Sequence, residues 1–329
     1  MVMDGSPPAW ISRLKIRHFE VLTTLVQTGS QSATAERLHV TQPALSKWLR
    51  ELEQNMGCPL FTRGRPLRLT AYGDVVLRYA QRVLGDSART VDELASLRSG
   101  SSGRVRVGAL GPVAAIVLPK VIVRCRSELP DLQITVFEDT QDILLPRLQR
   151  HELDCVVGRL QPAALRAGIF SEALYEEPVH VVVRPRHPLL KRKKLVWHDL
   201  AEFPWILPLP ETPMRQRVDA EFAASGLPSP RNAVESTSLL TNQRLLQQSD
   251  MVMAMSRQLA VHLRDSGSLA ILPIRLDHAL GAVGMLWVDE LPSAALVRFM
   301  EAVRTISKAL AADSNANGPG ARRRTRSTR

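Results

Sequence analysis

Apolar residues along this chain follow two different spacings, and the change near residue 104 divides it. Before that point the spacing is helical. Leu45, Leu49 and Leu52 recur at steps of four and three, one stripe of a helix, while Gln42, Pro43, Ser46, Lys47 and Arg50 take the opposite face. Thr41 is suited to cap this helix, since its hydroxyl can accept an orphan backbone N–H. Pro43 falls in the first turn, where its missing N–H costs nothing. A shorter helix precedes it, with Ser32 expected as its cap and Ala33, Ala35 and Leu38 close behind. Small Ala side chains let the two helices cross closely. The turn between them is Leu38-His39-Val40, with Val40 expected to fill the gap.

Residues 59–73 read as a hairpin-like element with Arg63, Arg65 and Arg68 near its tip, and Thr70 as the cap of the next helix. From Gly73 to Arg98, Val75, Val76, Tyr79, Val83, Val91, Leu94 and Leu97 recur at three- and four-residue steps, weakened in the middle by Gly85. A long helix with an apolar seam pairs with a second helix or packs on its own head. Ser99–Gly103 is a hinge by composition.

Beyond residue 104, short apolar runs alternate with helical patterns. Strands are expected at 104–110, 132–138, 154–157, 179–183, 205–207, 234–236, 251–255, 270–273 and 281–288. Helices are expected at 113–128, 142–150, 214–224, 239–248, 258–264 and 293–310. That alternation implies α/β units with parallel sheets covered by helices. Met251, Met253 and Met255 alternate, as core or interface positions do.

The polar face of the helix after Thr41 suits a DNA major groove. Gln42 matches adenine, Pro43 and Ala44 offer apolar contact to a thymine methyl, and Lys47 reaches guanine or phosphate. Arg50, a turn further on, fits phosphate, as do the arginines of the hairpin. Net charge agrees. The 329 residues carry +11, with a sequence pI near 10.3, which favours a polyanionic partner. Part of the excess lies in 312–329, expected as a disordered basic tail, and part in the run 184–194, expected as a solvated inter-domain surface.

The pattern Ala35-Glu-Arg-Leu38, Thr41-Gln-Pro-Ala-Leu-Ser46, Leu52-Glu53, Gly57-Cys-Pro-Leu-Phe61, Arg63 and Leu69-Thr70-x-x-Gly73 resembles the N-terminal domain of LysR-type transcriptional regulators. Gln31, Thr34 and Trp48 depart from that family's usual residues. The resemblance implies a winged helix-turn-helix over 1–73, with Ser32, Thr41, Gln42, Pro43, Ala44, Ser46, Lys47, Arg50, Arg63 and Arg65 toward DNA. It implies a dimerising linker helix over 74–98 and a hinge over 99–103. An α/β effector domain over 104–311 follows, two-lobed and periplasmic-binding-protein-like: lobe I is about 104–182 with 281–311, lobe II about 183–280. The expected effector is a small carboxylate-like anion bound at strand ends and helix N-termini. By position, the candidates are Leu110, Gly111, Pro112, Val113, Thr140, Arg159, Thr212, Arg215, Ser236 and Thr237. Arg159 either pairs that carboxylate or sits in a salt bridge. The resemblance further implies promoter DNA as partner, a homotetrameric dimer of dimers, and a readout through RNA polymerase.

Other classes lack their signals. The glycine-rich stretch Gly100–Gly108 precedes a strand instead of following one, and neither Gly-x-Ser-x-Gly nor His-Glu-x-x-His occurs. No cofactor is expected. The eight His are scattered, and Cys58, Cys125 and Cys155 lack metal-ligand or disulfide spacing. No signal peptide or membrane span is read at the start or in the apolar stretch 107–119, so a cytoplasmic protein is expected. A transport protein would share the two lobes without the helical head, and a nucleoid-type protein would need no lobes.

Overall fold

The computed structural model describes residues 13–62, 67–99, 101–161, 168–276 and 281–316. The chain divides into two compact units, Met1–Gly103 with Pro146–Leu153, and Arg104–Leu145 with Asp154–Arg329.

The first unit is built on α1 (Ile16–Thr28), α2 (Gln31–Arg37), α3 (Gln42–Met56) and α4 (Ala71–Ser99). Thr41 caps α3 as expected, accepting the Ala44 N–H at 3.4 Å, and Leu45, Leu49 and Leu52 are buried. The cap of α2 is Ser30 instead of Ser32. Ser30 is the last extended residue and accepts the Ala33 N–H, which leaves Ser32 inside the helix and exposed. Thr34 is fully buried, its hydroxyl satisfied by Thr28 Oγ1 at 2.6 Å and Ser30 O at 2.7 Å. Trp48 is half-buried, with the Arg17 guanidinium 5.0 Å above its ring. Phe19, Leu22, Leu52, Leu60, Val76 and Ala80 form the core.

The hairpin after α3 is fixed from behind by Glu53, whose Oε1 accepts the N–H groups of Leu60 and Phe61 at 2.7 and 3.4 Å. Phe61 and Leu69 pair antiparallel, and Thr70 caps α4 by accepting the Gly73 N–H at 3.0 Å. Gly73 leaves no room for a side chain: a Cβ there would lie 2.2 Å from the Leu60 carbonyl oxygen. The tip residues Arg63 and Arg65 lie outside the described residues.

The seam of α4 splits. Val76 and Ala80 are buried in the head, with Tyr79 and Val83 half-buried beside them, whereas Val75, Val91, Leu94 and Leu97 are exposed. Gly85 has a packing reason. A Cβ there would fall 2.7 Å from both Arg150 O and His151 Cβ.

In the second unit, one sheet holds β1 (Arg104–Ala109), β2 (Gln133–Glu138), β3 (Cys155–Arg159), β4 (Phe170–Glu176) and β10 (Ala282–Trp287), in the order β2-β1-β3-β10-β4. The other holds β5 (Val179–Val183), β6 (Trp205–Leu207), β7 (Ala233–Glu235), β8 (Val252–Ser256) and β9 (Ala270–Arg275), in the order β7-β6-β8-β5-β9. The helices are α5 (Gly111–Glu128), α6 (Gln141–Gln149, its end from Pro146 counted with the first unit), α7 (Trp197–Ala201), α8 (Pro213–Ala224), α9 (Leu239–Gln248), α10 (Arg257–Asp265) and α11 (Ala294–Ala316). Each sheet has its own core, Val105, Val107, Val121, Val157 and Phe299 in one lobe and Val181, Trp205, Phe222 and Val252 in the other.

Four expectations are corrected. The sheets are mixed, since β10 runs antiparallel to β3 and β4, and β5 antiparallel to β8 and β9. The lobe boundary, expected at about 182/183 with 179–183 as the strand leaving the first lobe, lies at Glu177–Pro178, since β5 pairs wholly in the second sheet. The strand β4 and the short helix α7 were not expected. Finally, α11 runs to Ala316, past the expected domain end at 311. Residues 317–329 of the expected tail lie outside the described residues.

Candidate nucleic-acid interface and effector cleft

The face of α3 opposite its leucines is open. Thr41, Gln42, Pro43, Lys47 and Arg50 are exposed, and Ala44 and Ser46 half-buried. Lys47 Nζ is 3.9 Å from Glu51 Oε1, a loose exposed pair that leaves its charge free to exchange. Arg50 Nε donates to Ser46 O at 3.2 Å, which lays the side chain along its own helix. Gln42 and Pro43 occupy the first turn, the part of a recognition helix that meets base edges. Arg68, beside the hairpin tip, is exposed as well.

The effector candidates gather at two strand edges. In the first lobe β1, β2 and β3 are parallel, so Leu110–Val113, Thr140 and Arg159 sit at their carboxyl ends, with α5 and α6 starting there. In the second lobe β6, β7 and β8 are parallel, and Thr212, Arg215, Ser236 and Thr237 follow the carboxyl ends of β6 and β7, where α8 and α9 begin. Open α/β sheets bind ligands outside such edges.

The individual geometries refine that picture. Leu110 caps α5 with no side-chain acceptor, so the first N–H groups are not closed by the cap. Val113 turns its side chain into the lobe core and offers only backbone. Glu138 Oε1 lies 3.2 Å from where a Gly111 Cβ would stand, so a carboxylate borders that loop. Thr140 is exposed, and next to it the Gln141 amide is buried with neither polar atom hydrogen-bonded. Thr212 caps α8 through the Arg215 N–H at 3.3 Å.

Both candidate cations already have acids. Arg215 donates to both oxygens of Asp219 at 3.2 and 3.0 Å and to Glu235 Oε1 at 2.7 Å, and the Glu235 bond leads in raising its pKa. Arg159 donates to the Gly281 carbonyl at 2.8 Å and lies 3.8 Å from Glu177 Oε2. Glu177 sits on the first crossing between the sheets, Gly281 on the second. Burial pushes the Glu177 carboxyl up, opposed by Arg159 and by the Gln258 N–H at the start of α10. Burial likewise lowers the Arg159 pKa, opposed by Glu177. Sequence reasoning missed Glu177, because a lone acid before a proline carries no periodic signal.

Cys125 and Cys155 are buried, and burial pushes both thiols up, which disfavours the reactive thiolate. Among the described residues, no group of three His, Cys, Asp or Glu is placed to hold a metal, and no helix is long and apolar enough to cross a membrane.

A helix-turn-helix head joined by a long helix to two α/β lobes is the build of a ligand-responsive DNA-binding protein. Comparison with known proteins agrees. Residues 16–74 match the bacterial regulatory helix-turn-helix protein, lysR family, and residues 98–307 match the LysR substrate binding domain. The chain belongs to the LysR family of transcriptional regulators, which are not enzymes. It is 33% identical over 292 residues to the HTH-type transcriptional regulator GbpR of Azospirillum brasilense, covering 87% of this chain and 85% of that one. It is 33% identical over 294 residues to the regulator PcaQ of Agrobacterium fabrum, covering 89% and 94%. Among solved structures, full-length CbnR complexed with its target DNA shares the fold at a TM-score of 0.63 and 21% identity, covering 89% of this chain and all (100%) of that one. Full-length OxyR C199D from Pseudomonas aeruginosa gives 0.61 and 22%, covering 90% and 95%.

Proposed function

We propose that this chain is a cytoplasmic, sequence-specific regulator that binds promoter DNA as a dimer of dimers and answers to a small anionic effector held between its lobes. The single observation that supports the DNA reading best is α3: a buried leucine stripe fixes the helix while Gln42, Pro43 and Lys47 stand exposed on its first turns. Two such helices about one DNA turn apart, ~34 Å, would read an inverted repeat. The exposed Val91, Leu94 and Leu97 of α4 supply the apolar seam that a partner helix covers.

The effector enters at the strand edges. Helix N-termini favour an anion there, and a carboxylate would exchange with Glu235 on Arg215 or with Glu177 on Arg159. RNA polymerase then senses the changed spacing of the heads on DNA.

The test is selection of genomic fragments by the purified chain, followed by titration of the winning site with wild type and Gln42→Ala. Specific binding should weaken by ~1–3 kcal/mol while non-specific binding holds. An unchanged ratio of specific to non-specific affinity would mean that another surface reads the bases. A panel of small carboxylates, scored by their shift of the thermal midpoint, tests the effector class, and a response only to neutral compounds would remove the anionic reading.

A further inference from the structure

We propose that residues 184–194 of the second lobe form a phosphate-binding ridge, which lays a further set of cations on the DNA backbone beyond those of the recognition head. The stretch is unusual in sign. Between Glu177 and Asp199 there are six Lys or Arg and no Asp or Glu.

Its members fall into two groups. Arg184 and Arg192 hold the ridge in place. Arg184 grips Asp250 Oδ1 through Nε at 2.8 Å and Nη2 at 2.7 Å, and Arg192 pairs with Asp199 and, at 3.2 Å, with Glu202. His187 is fully buried against Phe203, its Nδ1 accepting the Leu189 N–H at 3.1 Å, and Leu189 plugs the core beneath. The second group is Arg186, Lys191, Lys193 and Lys194. All four are exposed, and among the described residues none has an acid within ion-pair distance. Arg186 is held at φ +66°, a left-handed conformation that a side chain adopts only when its surroundings impose it.

A solvated surface needs no such framework. An array of like charges on a fixed turn is costly unless an anion meets it. The chemistry of the array selects the anion. Three of the four free cations are Lys, a point charge suited to phosphate and depleted from the cores of protein–protein interfaces. No aromatic anchor stands among them, as a protein hot spot would require. This rests on the DNA reading proposed above: with a duplex held by the head, a ridge contact to the same duplex would be a linked second contact, for which weak interactions count.

The experiment uses the full chain and a mixed-sequence DNA duplex several helical turns long, titrated from about 50 to 200 mM salt. One variant removes the ridge charges (Arg186→Gln, Lys191→Gln, Lys193→Gln, Lys194→Gln). A second removes four exposed cations elsewhere in the same unit (Lys120→Gln, Arg231→Gln, Arg298→Gln, Lys308→Gln), which lowers net charge equally. The ridge variant should flatten the slope of log affinity against log salt by up to about 3.6, four contacts at about 0.9 each. The control should change it little. Equal effects of the two variants would reduce the ridge to net charge and overturn the proposal. No effect of the ridge variant would overturn it too, and if transcription then still fell, the ridge would serve an acidic protein surface instead. Thermal midpoints of both variants, matched to wild type, exclude misfolding as the cause.

Discussion

Arg159 shows how a single residue can be placed correctly and read incompletely. Its position at the end of β3 follows from the apolar run before it, and the choice between ligand and salt bridge stayed open. The fold brings Gly281 and Glu177 to it from 122 residues and 18 residues away in sequence, and no local pattern announces either. The guanidinium is only 12% exposed and the carboxyl 4%, so truncating one partner leaves the other buried and uncompensated. Arg159→Ala should cost about 3–5 kcal/mol in urea unfolding. The loss should shrink as pH falls, because Glu177 can then protonate: its carboxyl is already raised by burial, and the cation opposing that rise would be gone. Arg159→Met combined with Glu177→Gln should recover part of the loss. A single variant as stable as wild type would mean that the pair bears little on the fold.

At the scale of elements, the sequence was most readable where a periodic stripe and a cap coincide. The helix after Thr41 and the one over Leu239–Gln248 were expected where they stand, since each has a hydroxyl cap and leucines at helical steps. β4 was invisible because it is the edge of its sheet. Of Phe170–Glu176 only Tyr175 is buried, so no alternation marks it. β5 is expected as the strand that leaves the first lobe, and it pairs wholly in the second sheet, because an apolar run does not say which sheet it joins. The basic turn after β5 contains an element-level prediction. His187 is buried and neutral. Desolvation lowers its pKa, the Arg184 charge adds to this, and the backbone carbonyl and carboxylate of Asp250 oppose it. His180 on β5 is lowered by burial and by Arg257 and Arg264. A folded pKa below the unfolded value means that unfolding takes up protons, so stability is full above about pH 6.5 and lost as pH falls below it. The midpoint of the tryptophan-reported transition, weighted by Trp197 and Trp205 in this lobe, should drop between about pH 7.5 and 5.5. His187→Gln should flatten that drop. A midpoint indifferent to pH would mean that the ring titrates in the folded state as freely as in water.

Taken whole, the chain carries its helix-turn-helix match in residues 16–74 and its substrate-binding-domain match in residues 98–307, and on the proposed reading the base-reading surface and the effector surface divide the same way. A small molecule changes transcription only if its binding free energy differs between states that bind DNA differently. The second unit has a site where such a difference can arise. Both crossings between its sheets converge on Arg159, which touches the Gly281 carbonyl and the Glu177 carboxylate, and Glu177 in turn meets the start of α10. On the proposed reading, a ligand seated at the strand edges would act on the residues that set how the lobes join. Linkage then imposes a numerical test. Whatever factor a saturating effector applies to the dissociation constant of operator DNA, saturating operator must apply to that of the effector. Coupling of this kind is typically ~1–3 kcal/mol, or about 5- to 150-fold. Calorimetric titration of effector into the free chain and into the operator complex measures one factor, and titration of operator with and without effector measures the other. Equal factors make the two surfaces ends of one equilibrium. A factor of one in both directions would leave the effector bound without consequence for DNA, and the control of transcription would then have to act after the operator is occupied.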